Sequence, residues 1–174
     1  MKQNVQHVGS RLHKKSTMEL DPWYVTGFID GEGCFSVSFT QRSKMITGIE
    51  IRPSFSVSQN RRSLQALEQI HAYFGCGAIR FSRHDQTYKY EVRSIGDIRK
   101  IIIPHFKKYS LKTSKLHDFT LFSDICDQIV ASKHLNKDGL RSIIDNAYLM
   151  NESGKRKYTK EQLLKLIKRD EDIV

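Results

Sequence analysis

Apolar and polar residues alternate with a period of two in four short stretches of the chain. In the first stretch Phe35, Val37 and Phe39 alternate with serine and threonine. A period of two places apolar side chains on one face of a strand and polar side chains on the other. The pattern therefore predicts four half-buried strands, at residues 34–40, 50–58, 78–83 and 87–94.

Helical signals precede, separate and follow these strands. Asp21 is a suitable N-cap, Pro22 suits the first helical position, and glycines end the predicted helix 22–30. Apolar spacing of three and four predicts further helices at 62–74, 97–103, 114–130, 138–150 and 160–169. We expect Pro104 to break the third of these six helices, and Thr159 and Gln162 to form a capping box.

The order helix-strand-strand-helix-strand-strand, followed by helices, predicts an α+β fold. One face of a four-stranded antiparallel sheet is apolar and needs a cover of helices, whereas the other face stays open. We expect a flexible basic tail at 1–18 and a single domain at 19–174. The domain would consist of a core at 20–118 and additional helices at 119–174.

Composition and charge narrow the class of protein. The chain has 174 residues, 39% of them hydrophobic, which suffices for one core. No apolar run approaches the length of a membrane span, and three scattered cysteines favour a reducing compartment. The net charge of +10 indicates a polyanionic partner, with nucleic acid ahead of an anionic membrane. The acid-free tail could be a nucleic-acid-binding arm or a transit peptide.

The open face of the predicted sheet carries hydroxyl groups and cations, and residues 34–118 hold fifteen basic groups against six acids. Base edges need hydrogen-bond donors and acceptors, and phosphates need positive charge, so this polar face suits duplex DNA. A plain solvated sheet face is the alternative. The charge balance favours nucleic acid.

The segment 25–33, Val-Thr-Gly-Phe-Ile-Asp-Gly-Glu-Gly, resembles the signature of the LAGLIDADG homing endonucleases. The strand end at 55–60 and the stretch from Pro104 to Leu111-Lys112 are similar to the family at similar intervals. The resemblance covers residues 20–118. It implies the αββαββα fold of that family, with a saddle-shaped antiparallel sheet.

Glycines at 27 and 31 place two positions without side chains on one helical face, which allows a second helix to approach closely. The motif occurs once, so we expect a two-fold homodimer, with Tyr24, Gly27, Phe28 and Gly31 at its interface. The alternative is that the glycines only end the helix.

In such a dimer Glu32 of each copy lies beside the two-fold axis, at the negative end of the helix dipole. Two carboxylates there would repel each other unless cations lie between them. Glu32 and Gly31 are thus the expected metal ligands, with Mg²⁺ as the cofactor. Mn²⁺ or Ca²⁺ could occupy the same site, and we expect Ca²⁺ to be non-productive. The resemblance assigns Asp30 a structural role at the helix end.

The resemblance also implies two catalytic helpers. Gln59 matches a polar residue that positions water, and Lys112 matches a lysine that stabilises charge at the scissile phosphate or activates water. Some family members have a basic residue four positions after the glutamine. Here that position is Ser63, with Arg61 and Arg62 beside it, and the choice among the three stays open.

The strands are about as long as one turn of DNA, which predicts a half-site of about ten base pairs and a pseudo-palindromic target of about twenty. Candidate DNA contacts lie on the polar face and its turns. They are Ser36, Ser38, Thr40, Arg42, Lys44, Arg52, Ser54, Ser56, Ser58, Arg61, Arg80, Ser82, Arg83, Lys89 and Arg93.

These features and the resemblance together predict a site-specific, Mg²⁺-dependent double-strand DNA endonuclease. The resemblance implies that it is a homing endonuclease encoded in an intron. The alternatives are a maturase that binds intron RNA and assists splicing, and a DNA-binding protein without cleavage. The expected partners are double-stranded DNA and a second copy of the chain, with intron RNA as a further candidate and no membrane. The resemblance implies an intracellular location in an organelle.

Overall fold

The computed structural model describes residues 20–151 and 154–168. The predicted basic tail at 1–18 and the end of the last predicted helix at Arg169 lie outside the described residues. None of the described helices is long and apolar enough to cross a bilayer.

The four predicted strands form one antiparallel sheet, which confirms the α+β class. The strands are β1 (Gly33–Gln41), β2 (Ile49–Asn60), β3 (Ala78–Ser82) and β4 (Thr87–Val92). Their spatial order is β1-β2-β4-β3. In β1 Phe35, Val37 and Phe39 are buried against the helices, as the alternation predicts, and the intervening residues form the polar face.

The register aligns residues of all four strands in rows across the polar face. Cys34 lies opposite Ser56, Ser56 opposite Glu91, and Glu91 opposite Ala78. The start of β1 and the end of β2 therefore lie at the same end of the sheet.

The motif helix α1 (Pro22–Glu32) begins as the sequence predicts and ends two residues later. The Asp21 carboxylate accepts hydrogen bonds from the backbone N–H groups of Trp23 (2.8 Å) and Tyr24 (3.2 Å). At the other end β1 starts directly after the helix, without a loop. Only glycine allows this close approach at position 33, because a Cβ there would lie 2.7 Å from the carbonyl oxygen of Ile29. This junction carries Glu32 directly from the helix to the edge of the sheet.

The remaining helices follow the predicted order. They are α2 (Leu64–Phe74), α3 (Ile95–Asp97), α4 (Ile103–Lys108), α5 (Lys115–Val130), α6 (Lys137–Tyr148) and α7 (Lys160–Lys168). A 3-10 turn, Arg61–Ser63, precedes α2. The predicted capping box is confirmed, since the Thr159 and Gln162 side chains each accept from the other's backbone N–H, at 3.2 and 2.8 Å.

The prediction that Pro104 breaks its helix is wrong. Helical structure continues from α3 through a π-helical turn, Ile98–Ile102, into α4, where Pro104 is the second residue. Proline lacks an N–H and its ring clashes with the carbonyl group four residues earlier. A π turn changes the hydrogen-bond pattern just before the proline, so the helix passes it without ending.

Phenylalanines join the helices to the sheet at the centre of the core. The ring of Phe35 lies 5.3–5.4 Å, between centroids, from the rings of Phe55, Phe106, Phe119 and Phe122. Two of these partners belong to α5. The same core continues to Leu163 and Ile167 of α7, so the C-terminal helices bury their apolar faces against the rest of the chain.

The free edge of β1 is covered by the chain that follows α6. The Asn151 side chain donates to the carbonyl oxygen of Phe35 (2.7 Å), and Arg156 donates to that of Val37 (3.4 Å). Arg156 also donates to the carbonyl oxygen of Met150 (2.9 Å) and lies over the Tyr148 ring. These side chains satisfy acceptors that an edge strand would otherwise expose.

A buried histidine links three helices. The Thr26 hydroxyl donates to the carbonyl oxygen of Tyr109 (3.1 Å), so it accepts from Nε2 of His105 (3.1 Å). Nδ1 of His105 in turn accepts from the Tyr73 hydroxyl (3.2 Å). Burial lowers the pKa of His105 to about 4, because the charged ring would lose its hydration. The neutral ring therefore belongs to the folded state.

We predict that acid destabilises the fold through His105. Its folded pKa lies below the ordinary value of 6.5, so the stabilisation is complete above pH 6.5 and is lost as the pH falls towards 4. The free energy of unfolding should decrease by up to about 3 kcal/mol over that range. Urea titrations at several pH values would measure it.

The variant His105→Gln should be less stable at neutral pH but should depend less on pH. Exposed His117 provides the matched control. His117→Gln should keep the wild-type pH profile. An unchanged pH profile in His105→Gln would contradict the assignment.

Candidate active site

Glu32 occupies the junction between α1 and β1, where its side chain is exposed. Among the described residues its carboxylate has no hydrogen-bonding or ion-pairing partner. The carboxyl end of α1 adds negative potential at the same position. An exposed, unpaired carboxylate at a helix carboxyl end attracts a cation.

Asp30, two residues earlier, is fully engaged instead. Its carboxylate accepts from the backbone N–H groups of Lys112 (2.8 Å) and Thr113 (3.2 Å) and from the Thr113 hydroxyl (2.6 Å). Partial burial raises the pKa of Asp30, but these hydrogen bonds and the nearby charge of Lys115 outweigh it and lower the pKa below its ordinary value. The contacts match the structural role expected for Asp30.

Lys115 is a residue that the sequence reasoning missed. Its ammonium group donates to the carbonyl oxygen of Gly33 at 2.5 Å, next to Glu32 in the chain. Both Lys112 and Lys115 follow Leu111 in one short basic stretch, so their spacing does not distinguish them. Only the packing of α5 against the start of β1 selects Lys115.

Lys112 takes part through its backbone. Its N–H caps Asp30, and its side chain is exposed. The catalytic role of its ammonium group stays a prediction.

Gln59 lies at the same end of the sheet as Glu32. Gly33, the residue after Glu32, pairs with Val57, and Gln59 follows Val57 by two residues. The alternation of β2 places half-buried Gln59 on the side of Val57, away from the polar face. Of the three residues left open after it, Arg61 lies with its guanidinium 5.9 Å from the Phe81 ring, and the backbone N–H of Arg62 donates to the Asn60 side chain. The roles of Gln59 and of the three residues stay predictions.

The polar face brings the candidate DNA contacts of the four strands onto one surface. Ser36 and Ser54 share a hydrogen bond across β1 and β2 (3.0 Å), and Ser38 donates to the carbonyl oxygen of Arg52 (3.3 Å). Ser56 differs from the others because it is only 4% exposed. The accessible contacts on or beside the strands are Ser36, Ser38, Thr40, Arg42, Arg52, Ser54, Ser58, Arg80, Ser82, Lys89 and Arg93. Exposed Lys44, Arg61 and Arg83 lie beyond the strand ends, and DNA contact by every member of the set stays a prediction.

One face of α1 is open along its length. Tyr24 is 50% exposed, and Phe28 is partly buried. A Cβ added to Gly27 or Gly31 would meet no atom of the described chain outside its own helix within 4 Å. The glycines therefore leave space that the described chain does not fill. This is the surface expected for a second helix.

Comparisons with known proteins agree with this geometry. A family model described as LAGLIDADG endonuclease matches residues 25–126. The chain is 38% identical over 128 residues to a Podospora anserina protein named as a 50.9 kDa protein in ND4 intron 1; the match covers 72% of this chain and 27% of that protein.

Two solved structures have a similar fold. The homing endonuclease I-TnaI is 35% identical, with a TM-score of 0.76, over 87% of this chain and 99% of that chain. The structure of I-SmaMI bound to an uncleaved DNA target in the presence of calcium ions is 35% identical, also with a TM-score of 0.76, over 89% of this chain and 50% of that one. The chain thus spans about a quarter of the Podospora protein, half of I-SmaMI and nearly all of I-TnaI.

The family model covers more than half of the chain, and the matched region contains the α1 motif, the complete sheet and the Asp30–Thr113 contact. On these grounds the chain belongs to the LAGLIDADG endonuclease family.

Proposed function

We propose that this protein is a site-specific endonuclease that hydrolyses both strands of a pseudo-palindromic DNA target of about twenty base pairs. The observation that carries the proposal is the exposed, unpaired carboxylate of Glu32 beside a polar face of hydroxyl groups and cations. The family supports this activity, and I-SmaMI has been seen on DNA. The intron in the name of the Podospora relative supports an intron-encoded protein that acts in an organelle.

The donor atoms at this position fit Mg²⁺. Glu32 offers a carboxylate and Gly31 a carbonyl at the end of α1, and both are hard oxygen ligands. The described residues contain no group of three or more His, Cys, Asp or Glu that could hold an ion alone. Glu32 of a second copy and the phosphate oxygens would complete the set. When bound, Mg²⁺ would neutralise charge on the phosphate and stabilise the leaving oxygen.

The side chains around Glu32 have separate proposed roles: stabilising the phosphate, orienting the attacking water and holding the loop that carries Lys112. Lys115, whose ammonium group donates to the carbonyl oxygen of Gly33 beside Glu32, would donate to a phosphate oxygen and offset the charge that develops on it. Gln59, at the same end of the sheet, would orient the attacking water through its amide. Asp30 holds the loop that carries Lys112 against α1 and takes no part in the chemistry.

A second copy of the chain would bring two such sites together. We propose that the open face of α1, with Tyr24, Gly27, Phe28 and Gly31, meets the same face of its partner around a two-fold axis. Each Glu32 then serves one strand of a symmetric target. The binding experiment below would also show whether the protein selects intron RNA.

The first prediction of the proposed function concerns Glu32. Cleavable duplexes would be selected from a randomised library in the presence of Mg²⁺, and a selected duplex would then be tested with Glu32→Gln. This variant should bind it but cut at least about 10³-fold more slowly, because it lacks the carboxylate that attracts the cation. Mn²⁺ should replace Mg²⁺, whereas Ca²⁺ should support binding alone.

Asp30→Asn is the structural control for this experiment. It should lower the free energy of unfolding by about 1–3 kcal/mol, because two backbone donors lose their carboxylate. Glu32→Gln should melt like the wild type. Efficient cutting by Glu32→Gln, or selection of RNA alone, would refute the proposed function.

The second prediction separates the two lysines. Lys115→Met should slow cleavage by about 10²–10³-fold with little change in binding, because it removes a donor at the phosphate. Lys112→Met should slow it by less than about tenfold, because its main contact is through the backbone. Single-turnover rates on the selected duplex would measure both. A greater loss in Lys112→Met would return the catalytic role to that residue.

The third prediction tests the dimer. Gly27→Leu should leave the chain folded, because a Cβ at this exposed position meets no atom outside its own helix within 4 Å and leucine favours a helix by about 1 kcal/mol over glycine. It should prevent close helix pairing, so analytical ultracentrifugation should show one chain and cleavage should fail. Unchanged dimerisation in this variant would place the interface elsewhere.

A further inference from the structure

Two carboxylates lie on the polar face among the cations. Glu50 forms ion pairs with Nε of Arg42 (2.6 Å) and Nη2 of Arg52 (2.9 Å). Glu91 lies between one cation of its own strand β4 and one that directly follows the end of β4. The Glu91 carboxylate contacts Nζ of Lys89 (3.2 Å) and Nε of Arg93 (2.9 Å). We call these two groups the acid clamps. Each consists of one glutamate that holds two cations.

In the acid clamps the glutamate side chains are more buried than the cationic side chains that they contact. The side chains of Glu50 and Glu91 are 20% and 8% exposed, whereas those of their four cationic partners are 43–57% exposed. A partner that approaches the polar face therefore meets the cations first. The glutamates contact these cations on the side that faces the sheet.

Neither general stability nor affinity for phosphate explains this arrangement. The cationic partners are 43–57% exposed, so solvent screens each ion pair and its contribution to stability is small. On a surface that binds DNA, a carboxylate weakens the attraction to phosphates. What a glutamate between two long cationic side chains does provide is a restricted position for each of them.

The contacts leave recognition atoms available. The side chains of Arg42, Arg52 and Arg93 are 43–57% exposed, so part of each guanidinium group stays accessible to another acceptor while it contacts its glutamate. A guanidinium group in a held orientation can donate two hydrogen bonds to the O6 and N7 atoms of guanine. A freely rotating arginine binds phosphates as readily as bases.

We propose that Glu50 and Glu91 are positioning residues for base recognition, which hold Arg42, Arg52, Lys89 and Arg93 for particular base pairs. This inference rests on the proposed function and goes beyond it, since it identifies which polar-face residues determine specificity. The glutamates act through the cations and do not contact the bases.

The register assigns the acid clamps to different parts of the half-site. Glu91 pairs with Ser56, which in turn pairs with Cys34, and Cys34 follows Glu32 by two residues. Glu50 lies six residues farther along β2, or about 20 Å away. At 3.4 Å per base pair, the Glu50 clamp should read positions about six base pairs farther from the cut than the Glu91 clamp.

The test is selection of cleavable duplexes from a randomised library by the wild type, Glu50→Gln and Glu91→Gln. Glu91→Gln should reduce base discrimination about fivefold to tenfold at positions near the cut, and Glu50→Gln by a similar factor at the outer positions. Loss of the carboxylate charge in the Gln variants should also steepen the salt dependence of non-specific binding, by about 0.9 in log–log slope for each additional phosphate neutralised.

Glu50→Asp and Glu91→Asp separate geometry from charge. Aspartate keeps the charge but is one methylene shorter, so it should lose the contact with at least one cation. These variants should lose the same base preferences without the change in salt slope. Glu68→Gln on α2 is the matched charge control, because exposed Glu68 lies on the helical side of the sheet. It should keep the wild-type preferences.

Thermal melting would confirm that each variant is folded. Wild-type preferences in both the Gln and the Asp variants would overturn the proposal, as would a loss spread evenly over the half-site. A wild-type protein that selects no duplex would instead refute the proposed function. The two failures are therefore distinguishable.

Discussion

The hydrogen bonds from Lys112 and Thr113 to Asp30 are the contact on which the arrangement of the site depends. They bind the carboxyl end of α1 to the segment before α5, 82 and 83 residues away in the chain. Next to this contact, Lys115 donates to the carbonyl group of Gly33, and Glu32 is exposed between the helix and the sheet. It adds a polar link to the aromatic contacts of Phe35 with Phe119 and Phe122, which also join the start of β1 to α5.

Two acids of one short motif thus have different environments. Asp30 is saturated with donors that hold its pKa low, whereas Glu32 has no partner within the described chain. The direct passage from α1 into β1 at Gly33 produces this difference. One carboxylate serves the fold, and the other is available to a cation.

The sheet separates structural from functional side chains by its alternation. Phe35, Phe55 and Tyr90 form the core on one side, while hydroxyl groups, cations and two glutamates occupy the other. Because a period of two is visible in sequence, both the α+β class and most polar-face residues could be predicted. The burial of Ser56 could not, since it depends on neighbours in β1 and β4.

Local sequence by itself determined the caps at Asp21 and Thr159, the strands and the motif that contains Glu32, because each depends on a few adjacent residues. Tertiary structure decided what depends on distant partners. It selected Lys115 beside Gly33, accommodated Pro104 after a π turn, buried neutral His105 and placed Arg156 against the edge of β1. Hydrophobic period and capping act over a few residues, whereas these contacts join elements that only the packed core brings together.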